Sequence, residues 1–332
     1  MTVVAITGAS AGVGRAIVRR FAEPGVSLAL MARGERRLQA AAEEVREKGG
    51  KAIVIPLDTA DADAVEAAAE RIERELGPID IWINVAMVTV MSPIMEMTAA
   101  EYSRVTDVTY LGFVHGTLSA LRRMKPRDRG TIVQIGSALG YRSIPLQSAY
   151  CAAKHAVNGF TDSLRCELIH DGSNVHVTTV QLPAVNTPQF DWARSRMPRR
   201  AQPLPPIYEP ELIANAVHRA AHHPRREYWL GYPVWKAILG ERMAPGLADR
   251  VLAHEAWDGQ MTDEPRIEGR PDNLLESVEG DWDSHGRFTD RASDQSPAIW
   301  MSEHPACAGL AAGVLVLALG AVASYALSRR PH

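Results

Sequence analysis

The chain has 332 residues, more than one typical domain of roughly 100–200, yet α/β domains of about 250 are routine, so one large domain plus an appendage is expected. Hydrophobic residues at 46% and charged residues at 23% exclude a disordered or fibrous chain, and a formal net charge of -3 offers no argument for a nucleic-acid partner. The three cysteines, Cys151, Cys166 and Cys307, are scattered without C-x-x-C spacing, which excludes a structural metal site of that kind and points to a reducing compartment.

No basic region followed by an apolar signal core precedes the first strand, so the catalytic part is expected in the cytoplasm. Short β-branched runs alternate with Ala-rich amphipathic stretches through the first two-thirds of the sequence. Val3 to Thr7, Ser27 to Ala32, Ala52 to Leu57, Ile79 to Asn84, Thr131 to Gly136 and His176 to Leu182 read as strands. Gly14 to Glu23, Glu35 to Lys48, Asp61 to Leu76 and Ala149 to His170 read as helices. This repetition predicts an α/β fold, a doubly wound parallel sheet of Rossmann type that binds ligands at the carboxyl ends of its strands.

The first strand runs into Thr7-Gly8-Ala9-Ser10-Ala11-Gly12-Val13-Gly14. Glycines at 8, 12 and 14 allow a sharp turn, a close approach to a pyrophosphate and amides presented at a helix N-terminus. Strand two ends in Ala32-Arg33-Gly34, with no acid to hold the ribose 2'-hydroxyl of NAD, and Arg33 can instead meet a 2'-phosphate. NADP(H) is therefore the expected coenzyme, with NAD(H) as the alternative.

Ser137 ends a strand, and Tyr150 and Lys154 stand four apart, on one face of a helix. An unperturbed tyrosine has a pKa of about 10, and a neighbouring ammonium favours its phenolate, which suits proton exchange nearer neutrality. Ser137 can donate to a substrate carbonyl as hydride arrives.

Together, the glycine loop, Ser137 and Tyr150-x-x-x-Lys154 resemble the classical short-chain dehydrogenase/reductase family over roughly residues 1 to 232, including the thirteen-residue separation of Ser137 and Tyr150. The resemblance implies Ser137, Tyr150 and Lys154 as the catalytic set, with Lys154 also reaching the nicotinamide ribose. It implies Thr7, Gly8, Ser10, Gly12, Val13 and Gly14 at the coenzyme, and Asp58 at its adenine. Asn84 and Ala86 would lie beside it, with Pro183, Val185 and Thr187 at the nicotinamide end. Two departures stand out. The family's Asn-Asn-Ala-Gly appears as Asn84-Val85-Ala86-Met87, and Thr109 stands where many members carry the Asn of a proton relay. Thr109 is the fourth candidate catalytic residue, since its hydroxyl can still donate and accept.

The segment after Thr187 is expected to cover the substrate, with Phe190, Trp192 and Met197 as an apolar inner face and Arg194, Arg196, Arg199 and Arg200 as a solvated basic one. The expected reaction is hydride transfer between NADP(H) and an apolar carbonyl or secondary alcohol; the alternative is a catalytically weak nucleotide-binding sensor or scaffold. Helical pattern continues from Trp235 to His254, and Asp258 to Pro297 reads as irregular and docked by its tryptophans. Residues 233–305 thus form an extension. Ala306 to Leu327 is uncharged over 22 residues, about 33 Å as a helix, long enough to anchor the enzyme in a membrane. A homodimer or higher assembly is expected by resemblance, through the Ala149 helix and the one holding Leu111 to Met124.

Overall fold

The computed structural model describes residues 2–280 and 282–303. Seven parallel strands form the central sheet: β1 (Thr2–Thr7), β2 (Val26–Ala32), β3 (Lys51–Pro56), β4 (Ile81–Asn84), β5 (Gly130–Ile135), β6 (Val175–Gln181) and β7 (Glu227–Trp229). Their order is β7-β6-β5-β4-β1-β2-β3, so the direction of winding reverses between β1 and β4. The six predicted strands are found within two residues of their expected ends. β7 was not foreseen, because Glu-Tyr-Trp is too short to show a period.

Alternation along β1 explains how both faces of the sheet are buried. Val4 and Ile6 pack on the side of helices α1 (Gly12–Phe21) and α2 (Glu35–Glu47), whereas Val3 and Ala5 pack on the side of α3 (Ala62–Leu76). β2 repeats the pattern with Leu28 and Leu30 against Ala29 and Met31. Each fully buried Leu or Ile contributes about 1.5–3 kcal/mol relative to exposure. Further along the chain come α4 (Ala99–Thr106), α5 (Gly112–Met124), α6 (Ser148–His170) and α7 (Pro210–His222), which packs against α1. Helix starts follow their sequences: Asp61 accepts from the Ala64 amide at 3.0 Å, and Thr98 with Glu101 closes a capping box.

After the sheet, α8 (Tyr232–Met243) and α9 (Pro245–Gly259) follow in succession, and the short helix α10 (Pro297–Glu303) ends the described region. The stretch expected to be irregular is largely so, but it is fixed to the core along its length. Met261–Pro265 pairs with Arg199–Ala201, and Ala292–Ser293 joins Ile207–Tyr208 in a small sheet. Its tryptophan, Trp282, meets Trp192 edge to face at 5.3 Å, while Trp300, just beyond it, is half exposed. Leu274, Phe288 and Ile299 are the deeper anchors, at 1%, 4% and 0% exposure. The predicted membrane segment, Ala306 to Leu327, lies outside the described residues. Among the described residues, no helix is long and apolar enough to cross a membrane.

Candidate active site

One cavity of about 830 Å³ runs from the glycine loop to α8 and α9. Its walls include Gly8, Ser10, Gly12, Val13, Gly14, Arg33, Asp58, Ala86, Ser137, Pro183, Val185 and Thr187, drawn together from the segments after the carboxyl ends of β1 to β6, with Tyr150 and Lys154 from α6. The glycine loop is built for close packing. Gly8 and Gly12 have φ of +68° and +56°, and a Cβ at Gly14 would lie 2.0 Å from the Gly8 carbonyl oxygen. Such a loop, bare of side chains and opening into α1, fits a dinucleotide pyrophosphate.

The catalytic candidates converge. Ser137 and Tyr150 both line the cavity, with the Ser137 hydroxyl near enough to act on the Tyr150 phenol. Burial pushes the Tyr150 phenol well above its usual range, and the Ser137 hydroxyl works against that rise. Lys154 is 2% exposed; its Nζ donates to the Ile135 carbonyl at 2.7 Å and lies 4.3 Å from the Phe113 ring centre and 5.7 Å from that of Tyr150. Burial lowers its pKa to about 7. A relay not visible in the sequence holds this arrangement. The Gln181 Oε1 accepts from the Ser137 amide at 2.9 Å, Gln181 Nε2 donates to Asn158 at 3.0 Å, and Asn158 donates to the Gly140 carbonyl at 2.8 Å. Gln181 and Asn158 could have been found only by knowing that β6 and α6 flank the Ser137 loop.

Other candidates fall elsewhere. Thr109, fully buried in a π-helical turn (Asp107–Leu111), donates to the Val88 carbonyl at 2.9 Å and accepts from the Val88 amide at 3.1 Å, so its hydroxyl is spent on structure and does not face the cavity. Thr7 and Asn84 are likewise tied inward. Thr7 Oγ1 accepts from the Val85 amide at 3.0 Å, and Asn84 bonds Trp82, Gln134 and Thr117. Asp58 pairs with Arg104. Arg33 does line the cavity, but its guanidinium is held by backbone carbonyls of the extension.

Phe190 and Trp192 line the cavity as expected, whereas Met197 packs with Met91, Leu146 and Met261 away from it. The expected solvated basic face is instead a set of ion pairs. Arg194 and Arg196 both reach the buried Glu101, Arg199 meets Asp258, and Arg200 meets Asp191 and Glu264. Glu101 is thereby drawn down to a pKa of about 2 despite its burial. Structure also gathers Glu209, Glu211 and His285, with His285 Nε2 2.9 Å from Glu211, where the extension crosses the start of α7.

Comparisons with known proteins agree with this geometry. A family model described as short chain dehydrogenase matches residues 2–197. An uncharacterised oxidoreductase, YxnA, of Bacillus subtilis is 32% identical over 265 residues, 79% of this chain and 74% of the relative. The human dehydrogenase/reductase SDR family member 7 is 38% identical over 170 residues, half of each chain. Among solved structures, an alcohol dehydrogenase of Thermococcus sibiricus, complexed with 5-hydroxy-NADP, superposes with a TM-score of 0.59 at 26% identity, covering 68% of this chain and 94% of that one.

Proposed function

Because the chain belongs to the short-chain dehydrogenase family, we propose that it is an oxidoreductase that interconverts a secondary alcohol and a carbonyl on an apolar skeleton, with NADP(H) as preferred coenzyme. The observation that carries this reading is the placement of Ser137, Tyr150 and Lys154 in the wall of a single cavity that also contains the glycine loop. The bound nicotinamide coenzyme supplies or accepts the hydride. Everything else falls to the chain itself. Gly8, Ser10, Gly12, Val13 and Gly14 cradle the pyrophosphate, and Pro183, Val185 and Thr187 line the nicotinamide end.

Tyr150 gives its phenolic proton to the substrate oxygen in reduction and takes it back in oxidation. Ser137 holds the same oxygen by a hydrogen bond as charge develops there. Lys154, when protonated, favours the Tyr150 phenolate and so counters the upward pull of burial. Thr109 positions Val88 and does not relay protons. An apolar substrate is supported by the far half of the cavity, where Leu139, Ile144, Leu204, Ala237, Leu252 and Ala256 supply hydrocarbon, with Arg142, Lys236, Glu241 and Glu255 also in the lining.

The exposed side chains Leu118 on α5 and Ile169 on α6 suit a homodimer across those two helices. A membrane anchor at Ala306 to Leu327 would keep the enzyme near apolar substrates, with the catalytic domain on the cytoplasmic side. The deciding experiment is a panel of secondary alcohols and ketones of increasing chain length, with each coenzyme, followed at the nicotinamide absorbance. Turnover that rises with chain length and vanishes in Tyr150→Phe is expected. Equal residual rates in the two proteins would refute the assignment.

A further inference from the structure

Residues 270–280 and 282–293 lie across the coenzyme side of the cavity as a strap. Arg270 donates to the carbonyls of Phe190 and Ala193, at 3.2 and 2.7 Å, and Asp272 pairs with Arg194. Leu274 is sunk among Val88, Val105 and Val108. Farther on, the Asp283 carbonyl accepts from the Gly12 amide at 3.1 Å, and the Asp283 carboxylate meets Arg19 at 2.6 Å. Gly286 then passes so close to Thr187 that a Cβ would lie 2.5 Å from its carbonyl oxygen.

The centre of the strap sits on Arg33. Arg33 NH1 donates to the Leu275 carbonyl at 2.8 Å and more weakly to that of Leu274 at 3.4 Å, and NH2 donates to Asn273 at 2.6 Å. Leu274 also accepts from Arg104 Nε at 2.9 Å. Asn273 lines the cavity itself, and its side-chain Oδ1 is buried with no partner among the described residues.

A guanidinium has five N–H donors in a fixed fork, and recognition of a phosphate uses two parallel ones. Both terminal nitrogens of Arg33 are already engaged, NH1 by two carbonyls, so a 2'-phosphate reaches the end-on bidentate contact through NH1 and NH2 only if a carbonyl is given up. A 2'-hydroxyl asks nothing of Arg33, and it can donate to an acceptor such as Asn273 Oδ1. Phosphate oxygens have no proton to offer that acceptor and are repelled by the carbonyls around it.

We propose that the 273–275 segment is an internal competitor for Arg33, so that NADP(H) binds by displacing it whereas NAD(H) binds beneath it. The cleft therefore reads the 2' position twice, once through Arg33 and once through the strap, and occupancy by NADP(H) is linked to release of a segment that also touches Gly12 and Thr187. By reciprocity, whatever loosens the strap strengthens NADP(H) and leaves NAD(H) unchanged or weaker. The inference rests on the reading of this cleft as a nicotinamide dinucleotide site.

Amide hydrogen exchange over residues 270–286, measured on the full chain alone and saturated with NAD+ or NADP+, tests it directly. NADP+ is expected to raise exchange at 273–277, and NAD+ is expected to leave it unchanged or slower. Calorimetric titration of Arg270→Gln, which removes strap contacts distant from Arg33, is expected to tighten NADP+ by about five-fold or more and to leave NAD+ unchanged or weaker. Equal exchange in the two complexes, or equal effects of Arg270→Gln on both dinucleotides, overturns the competition. Should neither dinucleotide bind the wild-type chain, the coenzyme reading of the cleft falls and the proposal with it.

Discussion

Lys154 Nζ donates to the carbonyl of Ile135 at 2.7 Å, joining the helix that carries Tyr150 to the last residue of β5. This is the contact of a buried amine without a carboxylate partner among the described residues, and burial brings its pKa down to about 7. The unfolded chain has a lysine pKa of about 10.4. Below pH 7 both states hold the proton and the native state bears the full cost of burying it. Between about 7 and 10.4 the unfolded chain binds more protons than the native one, so stability rises with pH at up to about 1.4 kcal/mol per unit. Denaturant unfolding at pH 7 and pH 9 is expected to show that rise in wild type and to lose most of it in Lys154→Met. The raised Tyr150 phenol and His218, lowered to about 4 by burial, titrate outside that window.

Replacing Tyr150 with Phe removes one oxygen from a wall otherwise made by Ser137, Lys154 and the glycine loop. Turnover is expected to fall by about 10²-fold to 10⁴-fold, the usual contribution of a positioned acid or base, with dinucleotide affinity nearly unchanged. Steady-state rates combined with calorimetric titration check both halves. A parallel loss of affinity would show that the hydroxyl serves binding.

Thr109→Val deletes a hydroxyl that both donates to and accepts from Val88. Leaving those buried backbone groups unpaired is expected to cost about 1–3 kcal/mol of stability. Because the hydroxyl does not face the cavity, kcat at a temperature where both proteins are folded should stay within about three-fold of wild type, a difference of roughly 0.7 kcal/mol. A selective loss of kcat with unchanged stability would restore Thr109 to the proton path.

Two glycines give opposite expectations for the same change. Gly14→Ala places a methyl group against the Gly8 carbonyl, a clash expected to cost about 1–3 kcal/mol or more and to abolish dinucleotide binding. Gly159→Ala, on α6 with no neighbour within 4 Å of its added carbon, is expected to stabilise by about 0.5–1 kcal/mol. Thermal unfolding of the pair, with and without dinucleotide, separates loop packing from helix propensity.

Six of the seven strands were legible because short runs rich in β-branched and apolar residues alternate with amphipathic helical stretches, as in Val26–Ala32 before Glu35–Glu47. Ser137, Tyr150 and Lys154 were singled out by their spacing together with the family resemblance, one at a strand end and two on one helical turn, and the structure brings all three to one cavity. Side chains whose roles depend on a distant backbone group were not. Arg33 looked free to meet a phosphate because its carbonyl partners lie some 240 residues away in a stretch with no period. Thr109 looked catalytic because sequence gives a residue type and not the direction of its hydroxyl. The basic run from Arg194 to Arg200 looked solvated because Glu101, Asp191, Asp258 and Glu264 come from four separate segments.

The strap also bears on how the protein is made. Arg19 and Ser284 are 265 residues apart, and Gly12 meets Asp283 across a similar interval. Closing so long a loop adds little to the entropic cost, which grows only logarithmically, but contacts of such separation are slow to form. During synthesis the glycine loop and its first helix emerge well before the residues that will lie across them. The sheet can assemble around β1 while the nucleotide groove is still open along one side. Maturation of the cleft is consequently a late folding event, and a nascent chain halted before residue 270 would display the Arg33 guanidinium bare of the carbonyls that hold it in the finished protein.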